Sequence, residues 1–366
     1  MATMNNSPTT MMNEDVMLEI MSYCPATEMA KFRLLNKECN KRSYELSFIN
    51  RNLHRTNSFF GYIFLYREVR NKKFAPYYWY HSSFVSVFDS KEKNRISLDI
   101  RPPCRNNAEI KACDTHHGIL LCVKDDNLWG RIPHYIVCKP ATKQYRLIPN
   151  PETRFHTVAT GLMVVSSNPF RCKIIRFSYI NAYNLSCEVY DSDSDAWKRL
   201  SNLESSEFYH RGVQPVSAYG CLHWLTEKNN VMRFCMRTET WSTFPVPDEL
   251  VDDNCLLLVS YEGKLGVIHS RWGEGSNIWV LEKSFGTSWV RFEDVKIKAL
   301  EDDISNEEPI WLPSNDTISR AASGKLGLYN MSNDNYRYLY TIPDFYYYLP
   351  FYSNFERVCL HKDDVE

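Results

Sequence analysis

The 366-residue sequence is short of the residues that loosen a chain, with only 13 Gly and 17 Pro. That excludes a collagen-like repeat and a long flexible linker. Charge of one sign is also missing. Lys and Arg total 43 against 44 Asp and Glu, a formal net charge of -1. No general field therefore draws nucleic acid or an anionic membrane surface. No window reaches the run of about 18 uncharged apolar residues that a membrane helix needs. Met1 to Met12 is polar and lacks the apolar core of a secretion signal. Motifs that carry bond chemistry are absent too: there is no Gly-x-Ser-x-Gly elbow, phosphate loop, dinucleotide fingerprint or His-Glu-x-x-His. The sequence predicts no catalytic residue, no cofactor, and no nucleic-acid or membrane partner. It predicts a cytoplasmic or nuclear protein, or both.

The 12 Cys are spread along the chain, mostly inside apolar segments such as Leu121-Cys122-Val123 and Val137-Cys138. Buried free thiols behave as small hydrophobes. Disulfide frameworks belong to short secreted chains, so a reducing compartment is expected. Cys113, His116, His117 and Cys122 have the chemistry of zinc ligands. A structural site needs closely spaced ligand pairs, however, and Cys122 sits in a strand-like run with no second pair after it. No metal is expected. Asp191, Asp193 and Asp195 alternate like the start of a calcium loop. Ala196 and Asn202 then stand where that loop needs Gly and Glu. An acidic turn between strands is the expectation.

Aromatic residues are plentiful: 23 Tyr, 19 Phe and 9 Trp. From Phe59 onward short apolar, β-branched and aromatic runs alternate with polar turns, among them Tyr62 to Tyr66, Ile119 to Val123 and Leu256 to Tyr261. This is all-β patterning. One unit recurs, an apolar residue followed seven positions later by an aromatic one: Cys138 to Tyr145, Tyr190 to Trp197, Phe234 to Trp241 and Tyr329 to Tyr336. Trp279 to Trp289 is a looser copy, and Phe88 to Arg95 keeps the spacing without the second aromatic. The second positions fall 44 to 52 residues apart, the size of a propeller blade, and imply about six blades. A β-sandwich of hairpins is the alternative. Gly before an apolar run marks a second phase at Gly118, Gly220, Gly263 and Gly324, with a different spacing. At this regularity the aromatics are expected to pack between blades.

The first sixty residues read as helices. Asn13 can cap one, with Glu14 and Asp15 in its first turn and Val16, Met17, Ile20 and Met21 at helical spacing. Pro25 stops it. Thr27 can cap a second, with Met29, Phe32, Leu35 and Cys39 on one face. Tyr44 and Phe48 suggest a third. Three short helices bury little surface and need a neighbour. Periodicity alone is equally compatible with a helical cap on the larger domain.

The order Glu14-Asp15-Val16, Glu19-Ile20, Pro25, Phe32-Arg33 and Lys37 resembles the F-box motif. Asn13 and Cys39 stand where that motif has Pro and Trp. Further on, His117-Gly118-Ile119-Leu120-Leu121-Cys122, Cys187 to Tyr190 with Trp197, Tyr219-Gly220-Cys221-Leu222-His223-Trp224-Leu225 and Asn277 to Leu281 resemble, in order, the elements of plant F-box-associated domains, whose fold is kelch-like.

The resemblance implies an α+β multidomain chain. Residues 1–11 form a disordered N-terminus, 12–57 a three-helix F-box, 58–360 an all-β kelch-like β-propeller, and 361–366 a polar tail. It further implies a substrate-recognition subunit of an SCF-type (Skp–cullin–F-box) ubiquitin ligase, non-catalytic itself. Its partners would be a Skp-type adaptor, through it a cullin–RING scaffold, and a target protein that the sequence does not name. Val16, Ile20, Pro25, Phe32 and Leu35 would form or support the adaptor interface, and the departures at Asn13 and Cys39 would remove apolar surface from it. The competing reading is a stand-alone propeller that binds a ligand such as a glycan.

Overall fold

The computed structural model describes residues 13–72, 75–87, 108–124, 132–204, 214–226, 228–251, 256–269, 276–284, 286–297, 310–314, 316–322, 325–331, 333, 335–341 and 347–360. Four helices come first: α1 (Glu14–Met21), α2 (Ala26–Arg33), α3 (Lys37–Arg42) and α4 (Leu46–Arg55). Asn13 caps α1 as its sequence predicts, with Oδ1 accepting from Asp15 N at 3.0 Å. The expected single helix through Met29, Phe32, Leu35 and Cys39 is instead two. The reason is Asn36, whose Oδ1 accepts from the backbone N–H groups of Glu38 and Cys39 at 2.8 and 3.0 Å and starts α3 afresh. The cap position of α2 belongs to Pro25 rather than Thr27. Leu18, Met21, Met29, Cys39 and Phe48 form the small helical core, with Phe32 packed at its edge.

The strands form six sheets arranged as a six-bladed β-propeller. β1 (Ser58–Lys72) and β2 (Ala75–Ser86) follow α4 directly. Blade I holds β3 (Ala108–Asp114), β4 (Ile119–Lys124), β5 (His134–Lys139) and β6 (Gln144–Ile148). Blade II holds β7 (Thr157–Ser167), β8 (Phe170–Tyr179), β9 (Asn184–Asp191) and β10 (Ala196–Arg199), with β11 (Leu203–Glu204) added on β9. Blade III holds β12 (Val216–Ala218), β13 (Cys221–Leu225), β14 (Asn230–Cys235) and β15 (Thr240–Pro245). Blade IV holds β16 (Leu256–Tyr261), β17 (Lys264–His269), β18 (Ser276–Leu281) and β19 (Trp289–Ile297). Blade V holds β20 (Ile310–Ser314), β21 (Thr317–Ala322), β22 (Lys325–Asn330) and β23 (Asn335–Thr341).

The sixth sheet closes the ring. Its order is β2, β1, β24, so β24 (Tyr347–Asn354), near the C-terminus, pairs antiparallel with β1 from Ser58 opposite Asn354 to Leu65 opposite Tyr347. Inner strands of neighbouring blades pack on one another, as β3 does on β7 and β16 on β20. Among the described residues every strand pairing is antiparallel, and the alternative of a β-sandwich is replaced by this circular arrangement.

The seven-residue aromatic spacing is the hairpin between the third and fourth strands of blades I, II, III and V. Cys138 lies opposite Tyr145, Tyr190 opposite Trp197, Phe234 opposite Trp241 and Tyr329 opposite Tyr336. In blade IV the looser copy resolves into Leu281 opposite Trp289. The copy at Phe88 to Arg95 lies outside the described residues. Gly118, Gly220 and Gly263 sit at positive φ in the turns between first and second strands. Gly324 falls outside the described residues.

The first positions of these pairs are core, and Trp197, Trp241 and Trp289 pack partly buried against it, but Tyr145 and Tyr336 are 46% and 54% exposed, so the expected packing between blades holds for only part of the row. The Trp197 ring lies 5.1 Å from Tyr135 of the preceding blade and 5.6 Å from Tyr190 of its own. The polar exception inside blade II is also satisfied. Arg176 and Glu188 face each other across β8 and β9, fully buried, with NH1 2.6 Å from Oε2.

Candidate functional site

The helices leave several apolar side chains exposed. Val16 and Ile20, one turn apart on α1, are 48% and 42% exposed, and Leu35, just past α2, is 68% exposed. Full burial of an exposed side chain of this kind is worth about 1.5–3 kcal/mol, and Val16 and Ile20, already half-buried, have about half of that left to gain. Tyr23 and Leu34 are exposed as well, at 61% and 88%. The sequence reading missed both; the Leu34-Leu35 doublet after Phe32-Arg33 was the available signal. Ion pairs link the helices: Arg55 reaches Glu19 at 2.8 Å, and Arg42 reaches Asp15 at 3.0 Å.

The five predicted adaptor residues do not all share this exposure. Phe32 is half-buried against the helical core. Pro25 caps α2 and lines a polar cavity of about 240 Å³ beside Lys139 and Glu356. There Lys139 is buried and donates to Asn354 Oδ1 and to the Glu356 carbonyl at 2.7 and 2.6 Å. Burial pushes its pKa down to about 8, against the pull of Glu356. Cys39 is fully buried, its thiol donating to the Glu14 carbonyl at 3.7 Å. This departure from the F-box pattern therefore changes the helical interior and not its surface, contrary to the expectation.

The module sits on one mouth of the propeller. Asn52, 2% exposed, donates to the carbonyls of Ser22 and Cys24 at 3.0 and 2.9 Å and fixes α4 against α1. Tyr44 reaches the turn between β16 and β17, where a Cβ on Gly263 would lie 2.6 Å from its hydroxyl. Arg33 stacks 3.9 Å over the Tyr44 ring and donates from Nε to Ser43 Oγ at 2.8 Å. Met29, Arg33 and Tyr44 then face Thr115, Glu262 and Trp311 across a cavity of about 240 Å³. Thr115 and Glu262 belong to turns between first and second strands. The helices thus occupy the side of the ring that carries those turns.

Residues with potential chemistry turn out to be scaffold. His223 is fully buried with Nδ1 3.2 Å from the Val216 carbonyl, and burial pushes its pKa down to about 4. Trp224 and Leu222 beside it are core. His117 Nδ1 lies 2.9 Å from Asp114 Oδ1, and Cys122 Sγ lies 3.8 Å from Cys138 Sγ inside blade I. Among the described residues no group of three or more His, Cys, Asp or Glu could hold a metal ion. Asp195 sits at positive φ in the β9–β10 turn and accepts from Tyr190 and from Arg146 of blade I, both at 2.6 Å. The acidic turn holds two blades together. Among the described residues no helix is long and apolar enough to cross a membrane.

The family described as the F-box associated beta propeller domain matches residues 80–348. In Arabidopsis thaliana, the F-box protein At5g41720 is 70% identical over 177 residues, which is 48% of this chain and 89% of that protein. The F-box protein At5g49610 is 23% identical over 325 residues, covering 81% of this chain and 82% of its own. The F-box/LRR-repeat/kelch-repeat protein At2g27520 is 26% identical over 283 residues, 74% and 71% of the two chains.

Proposed function

The chain belongs to the plant F-box proteins that carry an F-box-associated β-propeller domain, and on that premise we propose that it is the substrate-recognition subunit of an SCF-type ubiquitin ligase. The observation that carries this reading is the exposure of the apolar side chains of Val16, Ile20, Leu34 and Leu35 on helices placed directly before the propeller. Those side chains bind a Skp-type adaptor, which bridges to a cullin–RING scaffold. Phe32 and Pro25 support them from behind. The chain makes and breaks no bond. It holds a target so that the target's lysines stand near a charged ubiquitin-conjugating enzyme, and the gain comes from proximity.

Because the helices occupy one mouth of the ring, the target binds the opposite side, where second strands turn into third strands. Loops on a rigid scaffold are the usual carriers of recognition. The described cysteines are free thiols, which supports residence in the cytoplasm or nucleus.

The test is co-purification of the full chain with a Skp-type adaptor. A one-to-one complex is expected at micromolar concentration. Ile20→Asp or Leu35→Asp abolishes it by setting an unpaired carboxylate in an apolar contact, with circular dichroism and Tm unchanged. Failure of the wild-type chain to bind removes the ligase reading.

A further inference from the structure

Blade III places two cysteines on one rung. Cys221 of β13 lies directly opposite Cys235 of β14. The type of rung follows from the ladder. Thr226 N donates to Asn230 O at 2.8 Å, so that rung is hydrogen-bonded. Rungs alternate, which makes 224/232 and 222/234 hydrogen-bonded and 221/235 not. A non-bonded rung brings Cα atoms to about 4.5 Å with side chains closer. That lies within the ~4.4–6.8 Å a disulfide spans. Each thiol also shifts the titration of the other, as neighbouring sulfurs do.

The two sulfurs have different surroundings. Cys221 is buried, whereas Cys235 is half-buried at the end of its strand. There the chain turns through Met236 to Glu239, closed by Glu239 N donating to Cys235 O at 2.8 Å. The turn brings the backbone N–H groups of Arg237 and Thr238, and the Thr238 hydroxyl that also meets Thr240 Oγ1 at 2.7 Å, close enough to stabilise the Cys235 thiolate. Burial raises the Cys235 pKa, but these donors and the Cys221 thiol outweigh it and hold it at about 7. Burial pushes Cys221 up to about 11, and Cys172 and Cys187 up to about 12. The nucleophile is the thiolate, so Cys235 is the reactive partner. Cys122 and Cys138 supply the contrast: their sulfurs are 3.8 Å apart, but both are buried.

We propose that Cys235 and Cys221 form a hydroperoxide-responsive pair, in which Cys235 is the site of oxidation and Cys221 closes a cross-strand disulfide. In the first step the Cys235 thiolate attacks a peroxide oxygen. The O–O bond breaks, hydroxide (or alkoxide) leaves, and Cys235 becomes a sulfenic acid. The Cys221 sulfur then attacks the Cys235 sulfur, the S–O bond breaks, and the Cys221 proton leaves with the hydroxyl as water. Two electrons pass from the two thiols to one peroxide.

The change reaches a blade contact. Glu239, in the same turn, bonds Lys173 and Lys198 of blade II at 2.5 and 3.2 Å. A disulfide removes the Cys235 thiolate that Arg237 and Thr238 stabilise in the same turn that presents Glu239.

The experiment uses the reduced full chain and hydrogen peroxide near neutral pH, read by mass spectrometry of non-reduced digests. The expected product is a peptide pair linked through Cys221 and Cys235. In Cys221→Ser the sulfenic acid persists on Cys235 and is captured by dimedone. In unmodified protein, iodoacetamide alkylates Cys235 about tenfold faster than the other thiols near neutral pH. Linkage through other cysteines, no linkage, or a Cys235 no faster than the rest overturns the proposal. None of these readouts depends on adaptor binding.

Discussion

Trp197 donates its indole N–H to the carbonyl oxygen of Pro149 at 2.6 Å, tying the outermost strand of blade II to the end of blade I. The same device recurs around the ring. Trp241 of blade III reaches Ser201 Oγ at 3.4 Å, and Trp289 of blade IV reaches the Pro245 carbonyl at 3.1 Å. Blades II, III and IV thus each fasten back onto the one before. Trp197→Phe keeps the ring contact with Tyr135 and loses the hydrogen bond, at a cost of about 1 kcal/mol. Trp197→Ala loses both, at about 3 kcal/mol. Urea denaturation midpoints measure the difference. Equal losses would assign the contact to the hydrogen bond alone.

Two glycines in the same turn of different blades differ in what surrounds them. Gly220, at φ +72, has nothing within 4 Å of a built Cβ. Gly118, at φ +65, would place a Cβ 2.1 Å from Ser353 Oγ and 2.8 Å from the Tyr352 carbonyl, both on the closing strand β24. Gly220→Ala therefore costs only the left-handed backbone, about 1–2 kcal/mol. Gly118→Ala adds a displacement of buried β24 and costs more. A thermal melt of each variant checks the order, and a Gly118→Ala melt no worse than that of Gly220→Ala would show that β24 yields freely.

His223 makes stability depend on pH. Burial depresses its folded pKa to about 4, with the Val216 carbonyl opposing and Arg233 assisting. The unfolded chain takes up the proton near the ordinary value of about 6.5. The stabilising difference is thus complete above that value and is lost as pH falls toward 4. The full loss is about 3 kcal/mol. His223→Gln lacks this titration while sharing the rest. Its denaturation midpoint should fall less than that of the wild type between about pH 7.5 and about pH 4.5, and parallel curves would exclude His223 as the source.

The propeller was legible in the sequence because its repeat is dictated by packing. The third-to-fourth-strand hairpin of blades I, II, III and V sets an aromatic residue seven positions after an apolar one, so pairs such as Tyr190 and Trp197 reveal it at single-chain level. The element Gly220 to Leu225 is recognisable for the same reason, since Leu222, His223 and Trp224 are core. Those motifs therefore speak of scaffold and not of the target. The helical boundaries were less legible. An Asn such as Asn36 inside an apolar rhythm reads as a polar face position until its side chain is seen accepting two backbone N–H groups. Leu34 was missed because an exposed apolar residue breaks the rhythm that periodicity searches for. The Cys221–Cys235 rung required strand register, which spacing alone does not supply.

Cys39 is where sequence and structure give opposite expectations for a single substitution. By motif, Cys39→Trp restores the F-box residue and should strengthen adaptor binding. By structure, Cys39 is fully enclosed with Leu18, Met21, Met29 and Phe48 in a core made by four short helices. A Trp there has about twice the volume to place and no space to place it in; overpacking of this kind costs about 1–3 kcal/mol. The expected outcome is a lower unfolding midpoint for the helical module and an adaptor affinity no higher than wild type, because Val16, Ile20 and Leu35 gain no new surface. Calorimetric titration with the adaptor and a denaturation curve of the full chain separate the two. Tighter binding at unchanged stability would mean that position 39 faces the partner and that the helices pack differently when the adaptor is bound.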